Sequence, residues 1–282
     1  MKKIALSLLV ASMSLMAYDD FNGEEGDSTD SQVYVENQTV VNNVISNTPK
    51  TNLITSDKNY GVASELINAG DITILNIPVG MKVGYGFGIE ANIPLVSVTD
   101  YGWKKEDNAG LGDISLGLNY NFGKLSDSTG LNISTVLYKT TTGDDQKGLG
   151  SGVSAVTLSH DFSKSLNEKY TVNALASYTL NDDTVLGNSY MLMAGGSMPC
   201  LISDKVKTSA KLTYFYVEDH TDSYGWTGGE VKSADLWLQW DTDKLIKTVP
   251  LGFGIKVPLL NQVDGNDADK TVLFYLSASS LF

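Results

Sequence analysis

Hydrophobic and polar residues alternate along much of this chain. Residues 110–122, GLGDISLGLNYNF, show the pattern most clearly: from Ile114 to Phe122 every second residue is large and apolar, and the residues between them are small or polar. A period of two residues predicts a β-strand with one apolar and one polar face. The apolar face would form the core of a soluble sandwich or contact the lipid around a membrane barrel, so this stretch alone leaves both folds open.

Similar segments continue to the last residue. They cover approximately residues 72–79, 84–96, 112–122, 130–140, 152–161, 169–180, 188–198, 205–217, 231–241, 249–260 and 270–282. Their lengths match the roughly 9–11 residues of a tilted membrane strand, and short turns alternate with longer loops between them, which is typical of outer-membrane barrels. Bacterial single-chain barrels have an even number of strands, so residues 58–67 are predicted as a further strand. The predicted fold class is all-β, an antiparallel up-and-down transmembrane β-barrel of about 12 strands.

The composition of the polar faces favours the barrel over the sandwich. The apolar faces carry Phe87, Ile89, Ile93, Leu212, Tyr214, Tyr216, Leu236, Leu238, Trp240, Phe253, Ile255 and Val257. The opposite faces carry Glu90, Asn92, Asn119, Asn121, Asn132, Ser134, Asn173, Ser177, Lys207, Lys211, Thr213, Asp235, Gln239 and Lys256. Unpaired charges are costly inside the core of a sandwich, whereas they suit a hydrated lumen. We therefore expect the apolar faces to contact lipid and the polar faces to line the inside.

The two ends of the chain predict export to the outer membrane. Residues 1–17 have the features of a signal peptide: Lys2 and Lys3 precede an apolar run, and Ala17 is a small residue at the cleavage point. Residues 18–57 are polar and acidic, and we expect a periplasmic segment without a fold of its own. Residues 58–282 form the predicted barrel. Its terminal Phe282 resembles the signal by which the barrel-assembly machinery recognises outer-membrane proteins.

Charge and cysteine content exclude several classes of function. The chain of 282 residues has a net charge of −13, and its 20 basic residues are all lysine. An acidic chain without a basic surface is not expected to bind nucleic acid. The single cysteine, Cys200, excludes an internal disulfide.

Polar residues on the inner faces are the candidate contacts for a solute. They are Glu90, Asn92, Asn119, Lys207, Lys211, Asp235, Gln239 and Lys256. We expect Lys211, Asp235 and Lys256 near one level of the lumen. There they either set the polarity of a channel or pair with one another and plug it.

Two of the predicted outer loops share the motif Tyr-Gly-Trp. Tyr101 and Trp103 in one loop, and Tyr224 and Trp226 in the other, are therefore candidate aromatic contacts at the pore mouth. The alternative is an aromatic girdle at the membrane surface, which barrels have in any case.

Several side chains could in principle catalyse a reaction or bind a metal, but we expect them to have structural roles. Asp113 and Asp144 are favoured as caps for loop backbone rather than as ligands of a cation. The acidic loop at residues 264–269 lacks the EF-hand spacing, so we expect weak binding of Ca²⁺ or Mg²⁺ at most, no dedicated metal site and no cofactor. The two histidines, His160 and His220, lack the serine two residues away that a barrel lipase site needs. No catalytic residue is predicted.

Three stretches resemble one known family. Residues 110–122 and 141–152 (TTGDDQKGLGSG) are similar to the Gly-Leu-Gly-Asp strand start and the Pro-Thr-Gly-Asp loop of the outer-membrane proteins named for the MetA-pathway of phenol degradation; Thr141 replaces the proline. Residues 77–96 resemble the early hairpin of that family. The resemblance implies a barrel that passes small hydrophobic or aromatic molecules.

The predicted function is passive passage of a small solute through a channel or transporter in the bacterial outer membrane. Its expected partners are outer-membrane lipid, lipopolysaccharide, the barrel-assembly machinery and the solute. The alternative is a structural or interaction barrel with a plugged lumen, serving adhesion or envelope integrity. An outer-membrane hydrolase is the least favoured interpretation.

Overall fold

The computed structural model describes most of the predicted barrel. The described residues are 59–69, 71–101, 106–124, 131–182, 187–200, 203, 206–221, 227–246, 249–267, 270 and 272–281. The predicted signal peptide and acidic segment lie outside them, as do Trp103, Tyr224, Trp226 and Phe282.

Twelve strands form the wall of a closed antiparallel barrel, as predicted. They are β1 (Tyr60–Ala69), β2 (Ile72–Gly84), β3 (Phe87–Tyr101), β5 (Ser115–Lys124), β6 (Leu131–Lys139), β7 (Ala155–Ser165), β8 (Thr171–Asn181), β9 (Ser189–Pro199), β10 (Val206–Val217), β13 (Val231–Ile246), β14 (Val249–Val263) and β16 (Leu273–Leu281). Short strands in the connections are β4 (Glu106–Leu111), β11 (His220–Thr221), β12 (Thr227–Gly228) and β15 (Asn266–Asp267). Consecutive wall strands pair along the chain, and β1 pairs with β16 to close the ring.

The two ends of the barrel differ in their connections. The lower end holds the start of β1, the end of β16 and short turns such as the one between β2 and β3. The upper end holds the longer loops, including residues 140–154 between β6 and β7 and residues 218–230 between β10 and β13. Among the described residues, no helix is long and apolar enough to cross a membrane.

The turn of the second hairpin lies further along the chain than the sequence pattern indicates. Alternation ends β2 near residue 79, whereas the strand continues to Gly84 and the chain reverses at Tyr85 and Gly86. Gly84, Tyr85 and Gly86 all have positive φ angles, of 116°, 53° and 85°, which two glycines make accessible. Glycine position was therefore the better signal for this turn.

Burial shows which face of each strand points inward. On β5, Leu116 and Leu118 are about half exposed on the outside, whereas Ser115 and Asn119 are buried on the inside. All the residues predicted for the lipid-facing side lie on the outer face. Those of β3 share a face with Ile89, which is in register with Leu118. Those of β10, β13 and β14 share a face with Leu212 and Phe253, which are about half exposed. Residues 115–122 of the alternating stretch thus belong to one strand of the barrel wall, with its apolar side outward.

The predicted facing of β6 was wrong. Ser134 is in register with Tyr120, and its hydroxyl lies 2.9 Å from His160 on the outer face. Asn132 lies on the same outer face, two residues away. A bulge between Asn121 and Gly123 shifts the pairing of β5 with β6, and apolar residues occupy both faces of β6, so polarity did not identify its inner side. The inner face carries Ile133, Thr135, Leu137 and Lys139.

The assignment of faces predicts how single lysines affect stability. Leu118→Lys places a charge on the outer face of β5 and is expected to lower the free energy of unfolding in lipid vesicles by about 2–4 kcal/mol. Asn121→Lys, on the inner face of the same strand, is the matched control and should change it by less than about 1 kcal/mol. Urea unfolding followed by tryptophan fluorescence measures both. Equal losses for the two variants would contradict the assignment.

Candidate functional site

The loop between β6 and β7 folds into the upper half of the lumen. Leu149 in this loop is 5% exposed and packs in a cluster of inward-facing apolar residues from β1, β2, β3 and β16. The other members of this upper cluster are Ile67, Ile72, Ile74, Val96, Val98, Leu273 and Tyr275, with Trp237 of β13 against them. The upper lumen is therefore narrowed by an apolar contact between a loop and the wall.

A buried carboxylate holds this loop in place. Asp113 is 2% exposed, and its oxygens accept hydrogen bonds from the backbone N–H of Gly143 at 3.0 Å and from the N–H and hydroxyl of Ser151, both at 2.7 Å. The Lys139 ammonium donates to the Ser151 hydroxyl at 2.6 Å. Asp113 thus caps loop backbone, the interpretation that the sequence favoured.

The glycines of the two sequence motifs meet in space around this carboxylate. A Cβ on Gly143 would lie 2.6 Å from the Cα of Gly150, so neither position accepts a side chain without backbone movement. A Cβ on Gly112 would lie 2.8 Å from Val96 and 3.1 Å from the Leu149 carbonyl. Thr142 completes the contact by donating its hydroxyl hydrogen to the Gly112 carbonyl at 2.8 Å. The two motifs are therefore parts of one contact between loop and wall.

Lys211, Asp235 and Lys256 all face the middle of the lumen, and two of them pair. Lys256 and Asp235 form a buried ion pair with an N–O distance of 2.9 Å. Lys211 is in register with Trp237, two residues from Asp235, and does not join this pair. Its charge acts instead on Glu65 of β1, Asp161 of β7 and Asp241 of β13. Lys211 therefore lies within electrostatic range of carboxylates from three strands of the wall.

The other predicted contacts lie in the lower half of the lumen. Asn119 donates to the Glu90 carboxylate at 3.3 Å, and Asn92 is buried beside them on β3. Gln239 donates to Asp241 at 2.7 Å, and Lys207 is exposed near the lower end of β10. The structure thus places all eight candidates on the inner wall. It separates them into an ion pair, a separate lysine and a lower polar region.

The sequence analysis missed a second apolar cluster on the inner wall. Leu175, Met191 and Phe215 are buried together on the inner faces of β8, β9 and β10, with Met193 and Val217 against them. In the ring of twelve strands, β8 and β9 lie six positions from β1 and β2, so this cluster faces the upper cluster across the lumen. The cluster escaped detection because the inner face of β10 is polar up to Thr213 and becomes apolar only at Phe215 and Val217, and because apolar residues occupy both faces of β9.

Of the four aromatic candidates at the upper rim, only Tyr101 belongs to the described residues. Tyr101 ends β3, but the position of its side chain is outside the description, as are Trp103, Tyr224 and Trp226. Tyr216, which is described, donates its hydroxyl hydrogen to Glu230 at 2.7 Å. Hydrogen bonds from Lys232 and Tyr216 hold the pKa of Glu230 below its usual value. The pore-mouth role of the four candidates stays a prediction.

The acidic loop after β14 uses its first carboxylate as a cap. Asp264 accepts a hydrogen bond from the Glu230 backbone N–H at 2.9 Å. Within the described ranges, no group of three or more His, Cys, Asp or Glu side chains is arranged to hold a metal ion. Weak Ca²⁺ or Mg²⁺ binding at this loop stays a prediction.

His160 has a serine neighbour that the local sequence does not reveal. Ser134 and His160 lie on adjacent strands, and the hydroxyl is 2.9 Å from Nδ1 of the ring on the outer face. His160 makes no other hydrogen bond to the described part of the chain. The pair forms across two strands, so the residues next to His160 in the sequence do not reveal it.

Comparison with known proteins supports the fold. The crystal structure of an outer membrane channel from Pseudomonas putida F1 superposes with a TM-score of 0.64 at 14% sequence identity, over 80% of this chain and 95% of that one. The NanC porin superposes with a TM-score of 0.50 at 9% identity, over 79% of this chain and 99% of that one. No family model and no curated protein matches the chain.

These similarities identify the fold as that of an outer-membrane barrel. The protein is an outer-membrane protein, and its outer face contacts the lipid bilayer. Short turns are periplasmic and long loops extracellular in such barrels, so the lower end is the periplasmic end. The family resemblance of the sequence motifs stays a prediction.

The Asp113 contact predicts the protease sensitivity of the loop. Asp113→Ala removes hydrogen bonds to a charged group, which contribute about 1.5–3 kcal/mol each. We expect cleavage after the exposed Lys147 by endoproteinase Lys-C to become roughly tenfold faster or more in the detergent-solubilised protein. Asp182→Ala removes an exposed hydrogen bond at 3.0 Å from Ser154 near the same loop and is the control, with little expected change. Mass spectrometry of the fragments measures both rates. Equal rates in all three proteins would contradict the role of Asp113.

Proposed function

We propose that this barrel is a passive channel for a small solute. The observation that carries the proposal is the polarity of its inner wall. Glu90, Lys207, Lys211 and Gln239 face the lumen, and each keeps part of its surface exposed to solvent. Because charged and amide groups are costly to bury without partners, such a wall favours a lumen that admits water or the polar groups of a solute.

The wall divides the proposed route into two parts. A solute entering from outside meets the upper cluster and the facing cluster around Phe215, which form an apolar passage suited to the small hydrophobic or aromatic molecules that the sequence resemblance implies. It then meets the polar lower half, where we propose Glu90, Lys207, Lys211 and Gln239 as its contacts. The remaining candidates are more buried, and Asp235 and Lys256 serve mainly as an ion pair within the wall.

The plugged barrel is the second candidate function, and one observation favours it. Leu149 is packed against the wall in the upper lumen, and Thr213 and Asp235 in the middle are almost inaccessible to solvent. If the loop never moves, the lumen stays closed and the protein serves as a scaffold for its outer loops. The two candidates therefore differ in whether Leu149 withdraws from the upper cluster.

The remaining partners follow from the location of the protein. Lipopolysaccharide is the lipid we propose at the upper rim, where Lys232 and Tyr216 lie on the outer face. The barrel-assembly machinery is proposed to recognise the terminal strand, β16, whose outer face carries Phe274 and Leu276.

Conductance of a planar bilayer tests the role of Leu149. We expect the full chain to form channels and Leu149→Ala to raise the single-channel conductance roughly twofold or more, because an apolar constriction is shortened. Leu116→Ala removes a similar side chain from the outer face, where Leu116 is 52% exposed, and should leave the conductance unchanged. Absence of current from both the native protein and Leu149→Ala would favour the plugged barrel.

Ion selectivity tests the role of Lys211. Lys211→Gln removes a cation within electrostatic range of several lumen carboxylates, so the reversal potential in a KCl gradient should shift toward cation selectivity. Lys169→Gln, in the exposed turn between β7 and β8, changes the net charge equally and is the control. A reversal potential that both variants share with the native protein would exclude Lys211 from the conduction route.

A further inference from the structure

A row of polar side chains crosses the inner wall directly below the upper cluster. Cross-strand pairs place Asp241 of β13, Ser277 of β16, Glu65 of β1 and Asn76 of β2 in this row, with Gly252 of β14 between the first two. A Cβ on Gly252 would lie 2.5 Å from the Asp241 carboxylate and 2.6 Å from the Ser277 hydroxyl, so both side chains extend over this glycine. The four polar side chains therefore form one continuous stripe, the boundary row.

The next row up belongs to the upper cluster and is apolar. It consists of Tyr275, Ile67 and Ile74, which pair with one another across β16, β1 and β2. Each of them lies two residues above a member of the boundary row. Trp237 adjoins Tyr275, with 5.7 Å between the two ring centroids. The wall thus changes from apolar to charged within one row, which suits a solute with an apolar body and a polar group at one end.

Two members of the boundary row have polar atoms without hydrogen-bond partners. Glu65 is 4% exposed and Asn76 is 1% exposed. Oε2 of Glu65 and both Oδ1 and Nδ2 of Asn76 make no hydrogen bond to the described residues. Such groups are costly in a folded protein, and each one calls for an explanation. Both side chains lie on the inner face, so a polar group that arrives through the lumen and displaces the side chains covering them would give them partners.

Charge makes an ammonium ion the best partner for the boundary row. Glu65 and Asp241 are two of its four side chains, and both carry carboxylates. Lys211 lies within electrostatic range of both, whereas Lys256 is already held in its ion pair. An ammonium ion has three N–H donors and no acceptor, so it can donate to Oε2 of Glu65 and to Oδ1 of Asn76 at the same time. Hydrogen bonds between groups of opposite charge are the stronger kind.

We propose that the boundary row binds the ammonium group of a small amphiphilic amine. The ammonium group donates hydrogen bonds to Glu65 and Asn76, and the apolar body of the amine contacts Tyr275 and Trp237 in the row above. Lys211 competes with the amine for the carboxylates. Amphiphilic amines are then the solute class of the proposed channel, on which this assignment rests.

Isothermal titration calorimetry of the full chain in detergent tests this assignment, with detergent alone as the blank. The probes are 2-phenylethylamine, the neutral 2-phenylethanol and the anionic 3-phenylpropanoate. The alcohol is the sharpest comparison, because its hydroxyl can also accept a hydrogen bond from Nδ2 of Asn76. We expect the amine to bind roughly tenfold more tightly than the alcohol, and the anion to bind most weakly.

Single substitutions identify the row as the binding site. Glu65→Gln should lower the affinity for the amine to that for the alcohol. Glu168→Gln removes the same charge from the exposed turn between β7 and β8 and should leave the affinity unchanged. Lys211→Gln removes the internal competitor and should tighten amine binding several-fold, whereas Lys169→Gln in the same exposed turn should not.

Two results would overturn the amine site. One is equal affinity of the native protein for the amine and the alcohol, and the other is unchanged amine affinity in a folded Glu65→Gln variant. Circular dichroism establishes folding, and if Glu65→Gln does not fold, the comparison of probes on the native protein and the effect of Lys211→Gln decide.

Conductance separates the amine site from the channel function. In a planar bilayer, 2-phenylethylamine should reduce the K⁺ current at the concentrations at which calorimetry shows it bound. A protein that conducts but binds no amine would contradict the site and leave the channel function intact. A protein that binds the amine through Glu65 but never conducts would support the site and contradict the channel.

Discussion

Closure of the sheet by β1 and β16 is the constraint on which the rest of this structure depends. Backbone groups in lipid have no water to bond, so an open strand edge is not tolerated in a membrane. Register from Gly61 with Leu281 to Asn68 with Phe274 removes that edge. Once the ring is closed, alternate residues of every strand must point inward or outward. The outward set can be apolar throughout, while the inward set has to fill or hydrate a confined space.

The inward set meets this requirement in two different ways. The upper half is filled by apolar side chains, and a loop contributes Leu149 because Asp113 holds Gly143 and Ser151 against the wall. The middle contains a buried ion pair and a lysine within electrostatic range of several carboxylates. A channel built in this way has a narrow apolar entrance that depends on one loop, followed by a polar exit.

Sequence pattern predicted the fold well wherever one face of a strand was polar. Strands such as β5 and β13, with Asn119 or Asp235 opposite Leu118 or Leu236, were faced correctly, and the count of twelve followed from spacing and parity. It failed for β6, where both faces carry apolar residues and Ser134 faces outward because the facing of that strand follows from its pairing with β5. It also did not show that apolar side chains such as Val96, Met191 and Phe215 fill part of the lumen. The Ser134–His160 contact, and the identity of the loop residues that Asp113 caps, could not be predicted for a related reason. Each joins residues 26 or more positions apart, and only the register of the barrel brings them together.

Swelling of proteoliposomes with neutral solutes of graded size tests the central claim most directly. The full chain, shown to be folded by its resistance to unfolding in unheated detergent samples, is reconstituted and mixed with iso-osmotic solutes. The account predicts measurable swelling for the smallest solutes and a steep fall in rate as size increases, because the upper lumen is narrowed by Leu149. A folded barrel that admits none of these solutes would contradict passage through the lumen and would leave the plugged scaffold as its function.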